Sequence, residues 1–163
     1  MSELYEVAIK GLTLDPLTNM PIVILKDLEG KRALPIWIGV FEANAIALEM
    51  EKIETPRPMT HDLIVNILST LNIKVSRVVV SDLRENTFFA TIFVDQDGVE
   101  LNIDSRPSDA IALAIRTSVP IFVTKEVMDK SQSIEMGDEF YDEEKLKSWL
   151  ENLKPEDFGK FPM

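Results

Sequence analysis

The sequence predicts an α+β fold in which a duplicated unit, three strands followed by one or two helices, shares one mixed or antiparallel sheet, with a further helix near the C-terminus. Two sets of observations carry this expectation. Residues 44–48 (NAIAL) match residues 109–113 (DAIAL) at an offset of 65, and the same offset lays 36–38 (IWI) over 101–103 (LNI). With a small gap, the turn from Asp27 to Gly30 lies over the turn from Asp95 to Gly98. Strands, turn and helix thus recur in one order, as a repeated unit requires. Neither copy has enough elements to cover its own helix, so both are expected to share a sheet.

The elements follow in order. Tyr5, Val7 and Ile9 alternate with Glu6 and Lys10, the period of a half-buried strand. Residues 15–19 (DPLTN) form a turn cluster, 21–26 a second strand, 27–30 (DLEG) a turn, and 33–39 (ALPIWIG) a third strand. Residues 41–53 hold no Gly or Pro and are rich in Ala and Leu, which predicts a helix. Thr55-Pro56-Arg57-Pro58 breaks it, and Thr60 is a suitable N-cap for the next. Leu63, Ile64, Ile67, Leu68 and Leu71 then recur at the spacing of a buried helix face.

The second copy runs through strands at 73–81, 86–95 and 99–103. Pro107 opens a helix that continues to about Ser118, followed by a short strand at 120–123 and one or two helical turns at 125–130. The stretch 110–115 (AIALAI) is apolar almost all round, which predicts central burial, with dimerisation as a further expectation. Residues 1–130 therefore read as one domain, with repeat units of about 4–71 and 73–130. Residues 131–163 read as an acidic segment whose Leu146, Trp149, Leu150 and Leu153 mark a helix at 142–153, a lid or dimer arm.

The chain of 163 residues suffices for a sizeable core. It has no cysteine, which excludes disulfides, thiolate metal sites and cysteine nucleophiles and suits a reducing cytoplasm. Residues 1–15 lack the pattern of a signal peptide, and no apolar run approaches a membrane span, so a soluble cytoplasmic protein with no membrane partner is expected. A net charge of −11 opposes non-specific contact with a polyanion, although a local basic pocket can still hold a phosphate.

Glycine-rich phosphate loops and the HExxH, GxSxG and DxDxDG patterns are absent, and His61 is the single histidine. Two polar corners remain. Residues 57–62 (RPMTHD) and 104–109 (DSRPSD) each place an Arg-Pro pair, a hydroxyl and a carboxylate at a helix start. Such a start offers free N–H groups and a positive dipole end to an anion, and arginine adds bidentate phosphate recognition. Thr60, Asp62, Ser105 and Asp109 also suit a first turn for stability alone. His61, in the first turn, is placed to act as a neutral base or a ligand, or simply to lie exposed. Glu49 stands where the second copy has Ala114, a carboxylate on an otherwise apolar helix.

Segments 34–50 (LPIWIGVFEANAIALEM), 57–68 (RPMTHDLIVNIL) and 105–123 (SRPSDAIALAIRTSVPIFV) resemble the signature segments of the bifunctional nuclease family. Members are described as having both DNase and RNase activity. The resemblance covers about 1–130 and implies a duplicated strand-and-helix fold. The matching polar positions are Glu42, Asn44, Glu49, Arg57, Thr60, His61, Asp62, Arg106, Ser108 and Asp109. The implied dual activity makes water the nucleophile, because DNA lacks the 2′-hydroxyl. A divalent metal, Mg²⁺ or Mn²⁺, would activate that water. The expected assignment is His61, Asp62 and Asp109 as the catalytic set, with Asp62, Asp109, Glu42 and Glu49 as metal ligands. Arg57, Arg106, Thr60 and Ser108 would bind phosphate. Two other readings compete: a non-catalytic homo-oligomeric module that holds an anion or a partner's tail, and an interaction protein that uses its acidic C-terminal segment on a basic partner.

Overall fold

In the computed structural model, residues 3–30, 32–131 and 134–135 are described. Eight strands among them form one sheet: β1 (Leu4–Leu14), β2 (Pro21–Asp27), β3 (Arg32–Trp37), β4 (Ile73–Arg84), β5 (Thr87–Gln96), β6 (Val99–Ser105), β7 (Ile121–Thr124) and the two-residue β8 (Ile134–Glu135). Four helices accompany them: α1 (Val40–Met50), α2 (Thr60–Thr70), α3 (Pro107–Thr117) and α4 (Lys125–Lys130). None is long and apolar enough to cross a membrane. The helix expected at 142–153 lies outside the described residues.

The sheet order is β6-β5-β4-β7-β1-β2-β3-β8. β1, β2 and β3 form an antiparallel meander that leads into α1, and β4, β5 and β6 form another that leads into α3. The order of elements recurs, but not at the offset of the sequence match. The helices begin at Val40 and Pro107, and so lie two residues out of step with the NAIAL/DAIAL alignment. β7 joins the halves, antiparallel to β1 and parallel to β4, which makes the sheet mixed.

Local chemistry fixes the hairpins. Asp97 (φ 52°) and Gly98 (φ 84°) turn β5 into β6, and Glu85 (φ 49°) and Asn86 (φ 62°) turn β4 into β5. Two successive positive φ values are what a two-residue turn between right-twisted strands requires. Bulges between Val75 and Arg77 and between Val80 and Asp82 interrupt the β4–β5 register; between them the pairing is regular, and Val78 and Val80 join the main core while Val79 is buried outside it.

One face of the sheet carries the main core. Val23, Leu25, Leu34, Ile36, Val78, Val80, Ile92 and Val94 pack there against Ile46 and Ala47 of α1 and Ile111 and Ala114 of α3. α3 is buried from Ala110 to Ala114, as its apolar run predicts. α1 ends at Met50, three residues short of the expected Ile53, where Lys52 turns left-handed (φ 55°). The reading of α2 requires correction. The stripe expected to be buried is not: Leu63, Ile67 and Leu71 are exposed, and only the flank formed by Ile64 and Val65 packs against the core. Periodicity shows which side of a helix is apolar, while the neighbours decide whether anything covers it.

Candidate functional site

The two polar corners meet at the junction of α1, α2 and α3. Arg106 caps α3 with extended backbone and Pro107 takes the first turn, where its missing N–H costs nothing. At α2 the N-cap is Met59, not Thr60, which is the first helical residue. Asp62 explains the shift: its carboxylate reaches back to accept the Met59 N–H at 3.0 Å, so the acid three residues on does the capping.

His61 crosses from α2 to α3 and its Nε2 lies 2.9 Å from Asp109 Oδ1. An ionised carboxylate can only accept, so Nε2 donates and Nδ1 is left as the acceptor of a neutral ring. The His61 side chain is 12% exposed. Arg106 donates to both oxygens of Asp109 (2.8 and 3.1 Å) and, from Nη1, to Glu42 Oε1 at 2.8 Å. Glu42 lies in the first turn of α1 and folds back over Gly39. The chain His61–Asp109–Arg106–Glu42 therefore links the starts of all three helices.

A second set lies behind it. Arg116 is 6% exposed in its side chain and donates to Asp62 Oδ1 (2.8 Å), to the Ala112 carbonyl (3.0 Å) and to the Ala45 carbonyl (2.9 Å). One guanidinium thus ties α1, α2 and α3 together. Arg116 was not singled out from the sequence, although a single charge closing the apolar stretch 110–115 was the available signal.

Both aspartates titrate below their ordinary range. For Asp109, burial pushes the carboxyl up, but hydrogen bonds from His61 and Arg106 outweigh it. For Asp62, burial is again opposed, by the Met59 N–H and by Arg116. Asp109 in turn raises the Arg106 guanidinium against burial, with help from Glu42.

A cavity of about 360 Å³ opens beside the junction, walled by Glu49, Arg57, Met59, Asp62, Asn66 and Arg116. Arg57 is exposed there, and among the described residues its guanidinium makes no ion pair. Among the described residues, Glu49 pairs only with Lys52, at 3.6 Å. Thr60 is exposed at the start of α2, whereas Ser108 and Asn44 are buried.

The donors expected to hold a metal do not fit one in this arrangement. Asp62 is engaged by Arg116, Asp109 and Glu42 by Arg106, and Glu49 stands apart against Lys52. Among the described residues no three acidic or histidine side chains converge.

A mixed α+β sheet domain with a fused pair of Arg-Pro corners is the class of protein these features define. Comparison with known proteins gives the family. Residues 23–136 match the bifunctional nuclease domain, and the chain belongs to that family. A Mycobacterium tuberculosis protein named as uncharacterized (Rv1829) is 37% identical over 163 positions, which cover 94% of this chain and 97% of its own length. Bifunctional nuclease 1 of Arabidopsis thaliana is 28% identical over 109 positions, covering 64% of this chain and 34% of its own. Bifunctional nuclease 1 of Oryza sativa subsp. japonica is 26% identical over 110 positions, covering 64% and 33%. The chain thus spans about a third of the plant relatives' length.

Proposed function

We propose that this protein hydrolyses phosphodiester bonds of DNA and RNA in a reducing cytoplasm, at the junction where α2 meets the start of α3. The observation that carries the reading is the His61–Asp109 pair, which joins two corners 48 positions apart. His61 is next in the chain to Asp62, which with Arg57 walls the cavity. The names of the plant relatives agree with it. Arg57 would bind the phosphate from the cavity wall. His61, held by Asp109, would take a proton from water at Nδ1 as the water oxygen attacks phosphorus. The phosphorus–oxygen ester bond breaks, and the protonated imidazole can return the proton to the departing oxygen. Arg106 and Glu42 act indirectly by fixing Asp109.

A second reading has its own observation. Asp62, Asp109 and Glu42 are each committed to an arginine. Carboxylates so engaged are not free to hold a metal or take a proton, while Arg57 on the cavity wall makes no ion pair among the described residues, which suits anion binding at Arg57 without turnover.

Fluorescent single-stranded DNA and RNA, incubated with highly purified protein in Mg²⁺, Mn²⁺ or EDTA, separate the two. The hydrolytic reading expects His61→Gln to lose on the order of 100-fold or more in rate, the contribution of a positioned base. Arg57→Ala should raise KM more than it lowers kcat. Equal cleavage by wild type and His61→Gln would defeat this assignment. Phosphate-dependent thermal stabilisation that Arg57→Ala abolishes, without cleavage by any form, selects the binding module.

A further inference from the structure

We infer that the exposed face of α2 together with β6 is the interface through which two copies of this chain associate. Leu63 and Ile67 of α2 and its C-cap Leu71 recur at four-residue steps and so lie on one side of the helix. On β6, Val99, Leu101 and Ile103 share one sheet face by alternation. Leu101 pairs with Val94 and Ile103 with Ile92. Directly opposed residues point to the same face, and Val94 and Ile92 belong to the core against which α2 and α3 pack. The two rows therefore stand on the same side of the sheet. All six residues are between 41 and 59% exposed.

Three observations select a second copy as the occupant. First, residues 63–71 carry no charged side chain, in a chain whose net charge is −11. Two copies repel over most of their surface, and a charge-free strip is where they can approach. A basic partner would instead seek the acidic surface. Second, the six side chains leave about 500 Å² of apolar area open, near the upper end for a monomer. With the backbone of an edge strand beside them, this approaches the ~800 Å² per partner of a standard interface. Third, β6 is an edge strand of seven residues, the kind of edge that pairs with another chain unless it is covered.

The inference does not rest on the nuclease reading, but it bears on the cavity. Met59, the N-cap of α2, is 40% exposed and forms part of the cavity wall. A partner seated on α2 would therefore border the opening.

Light scattering and sedimentation of the full chain across the micromolar range test the inference. The expected mass is twice 18.5 kDa. Leu63→Glu with Ile67→Glu, and separately Leu101→Glu, should each weaken the dimer by roughly 100-fold, the scale of an interface centre. Circular dichroism should stay unchanged, because these positions are exposed. A monomeric wild type, or a dimer indifferent to both variants, overturns the inference. Removal of residues 136–163 should leave the dimer intact. If that removal alone abolishes it, the tail is the arm that joins the copies and the α2–β6 interface is wrong.

Discussion

α2 and α3 are both eleven residues long and both carry apolar positions at helical spacing, yet one is almost entirely covered and the other hardly at all. α3 has β4 and β5 beneath it and α1 and α2 beside it, so Ala110 to Ala114 are buried. α2 lies at the margin of this layer and buries none of its residues fully. The difference teaches that an apolar stripe states a demand for cover without saying who supplies it. In α3 the supplier is the same chain. In α2 it is the second copy inferred above.

The sharpest way to break the comparison is to truncate one side chain on each helix. Ile111 is fully buried in α3, and Ile111→Ala should cost about 2–5 kcal/mol, the transfer and cavity terms of a large-to-small core change. Ile67 is 49% exposed, and Ile67→Ala should cost less than about 1 kcal/mol in the monomeric Leu101→Glu background. Urea unfolding checks both. Equal costs would mean that α2 is covered within a single chain.

Arg116 is the joint between the two helices, and its loss comes next in size. Arg116→Met keeps the length of the side chain but strips partners from Asp62 and from two carbonyls. Breaking a buried charged network by removing one member leaves the others unsatisfied, so a cost of about 2–4 kcal/mol is expected. Because Arg116 anchors α2 through Asp62, amide exchange should quicken in α2 more than in the centre of α3. Uniform acceleration would show that the two helices open as one unit.

Much of this was legible in the residues. Alternation located β1, the turn clusters at 15–19 and 27–30 bounded β2 and β3, the turn ending in Asp97-Gly98 marked a hairpin, and Pro107 marked the start of α3. The polar corners were visible as RPMTHD and DSRPSD. Their meeting was not, because it depends on α2 folding across the start of α3, a long-range event that no local pattern encodes. Arg116 escaped for a related reason: a lone arginine at the end of an apolar helix looks like a solvated terminus until three helices converge on it. The helix starts one residue earlier than expected, with Met59 as N-cap and Asp62 accepting its N–H.

Asp109 offers a smaller test, this time through pH. Its carboxyl is held below the ordinary value of 3.8, so the contribution it makes to folding is complete above that value and is lost as pH falls through the lower, folded-state value. Asp109→Asn should remove that part of the acid-side dependence and cost about 1–2 kcal/mol at neutral pH, since His61 and Arg106 lose a charged acceptor. Thermal melts from neutral pH down to the acid limit measure the difference. A wild type and variant with parallel pH profiles would show that Asp109 is not the coupled group.

Gly39→Ala should have the smallest effect on stability and the most selective effect on the junction. A methyl group at this N-cap would occupy the space into which the Glu42 carboxylate folds. That carboxylate is the end of a flexible side chain, so it can swing away at little cost, and global stability should change by less than about 1 kcal/mol. Once displaced, it can no longer accept from Arg106 Nη1, which leaves Arg106 on Asp109 alone. If Arg106 and Glu42 position the His61–Asp109 pair, the variant should lower kcat several-fold with KM and melting temperature nearly unchanged. Glu42→Gln keeps an acceptor for Arg106 and should fall between the variant and wild type. An unchanged kcat in Gly39→Ala would confine the working pair to His61 and Asp109, with α1 serving only as a wall.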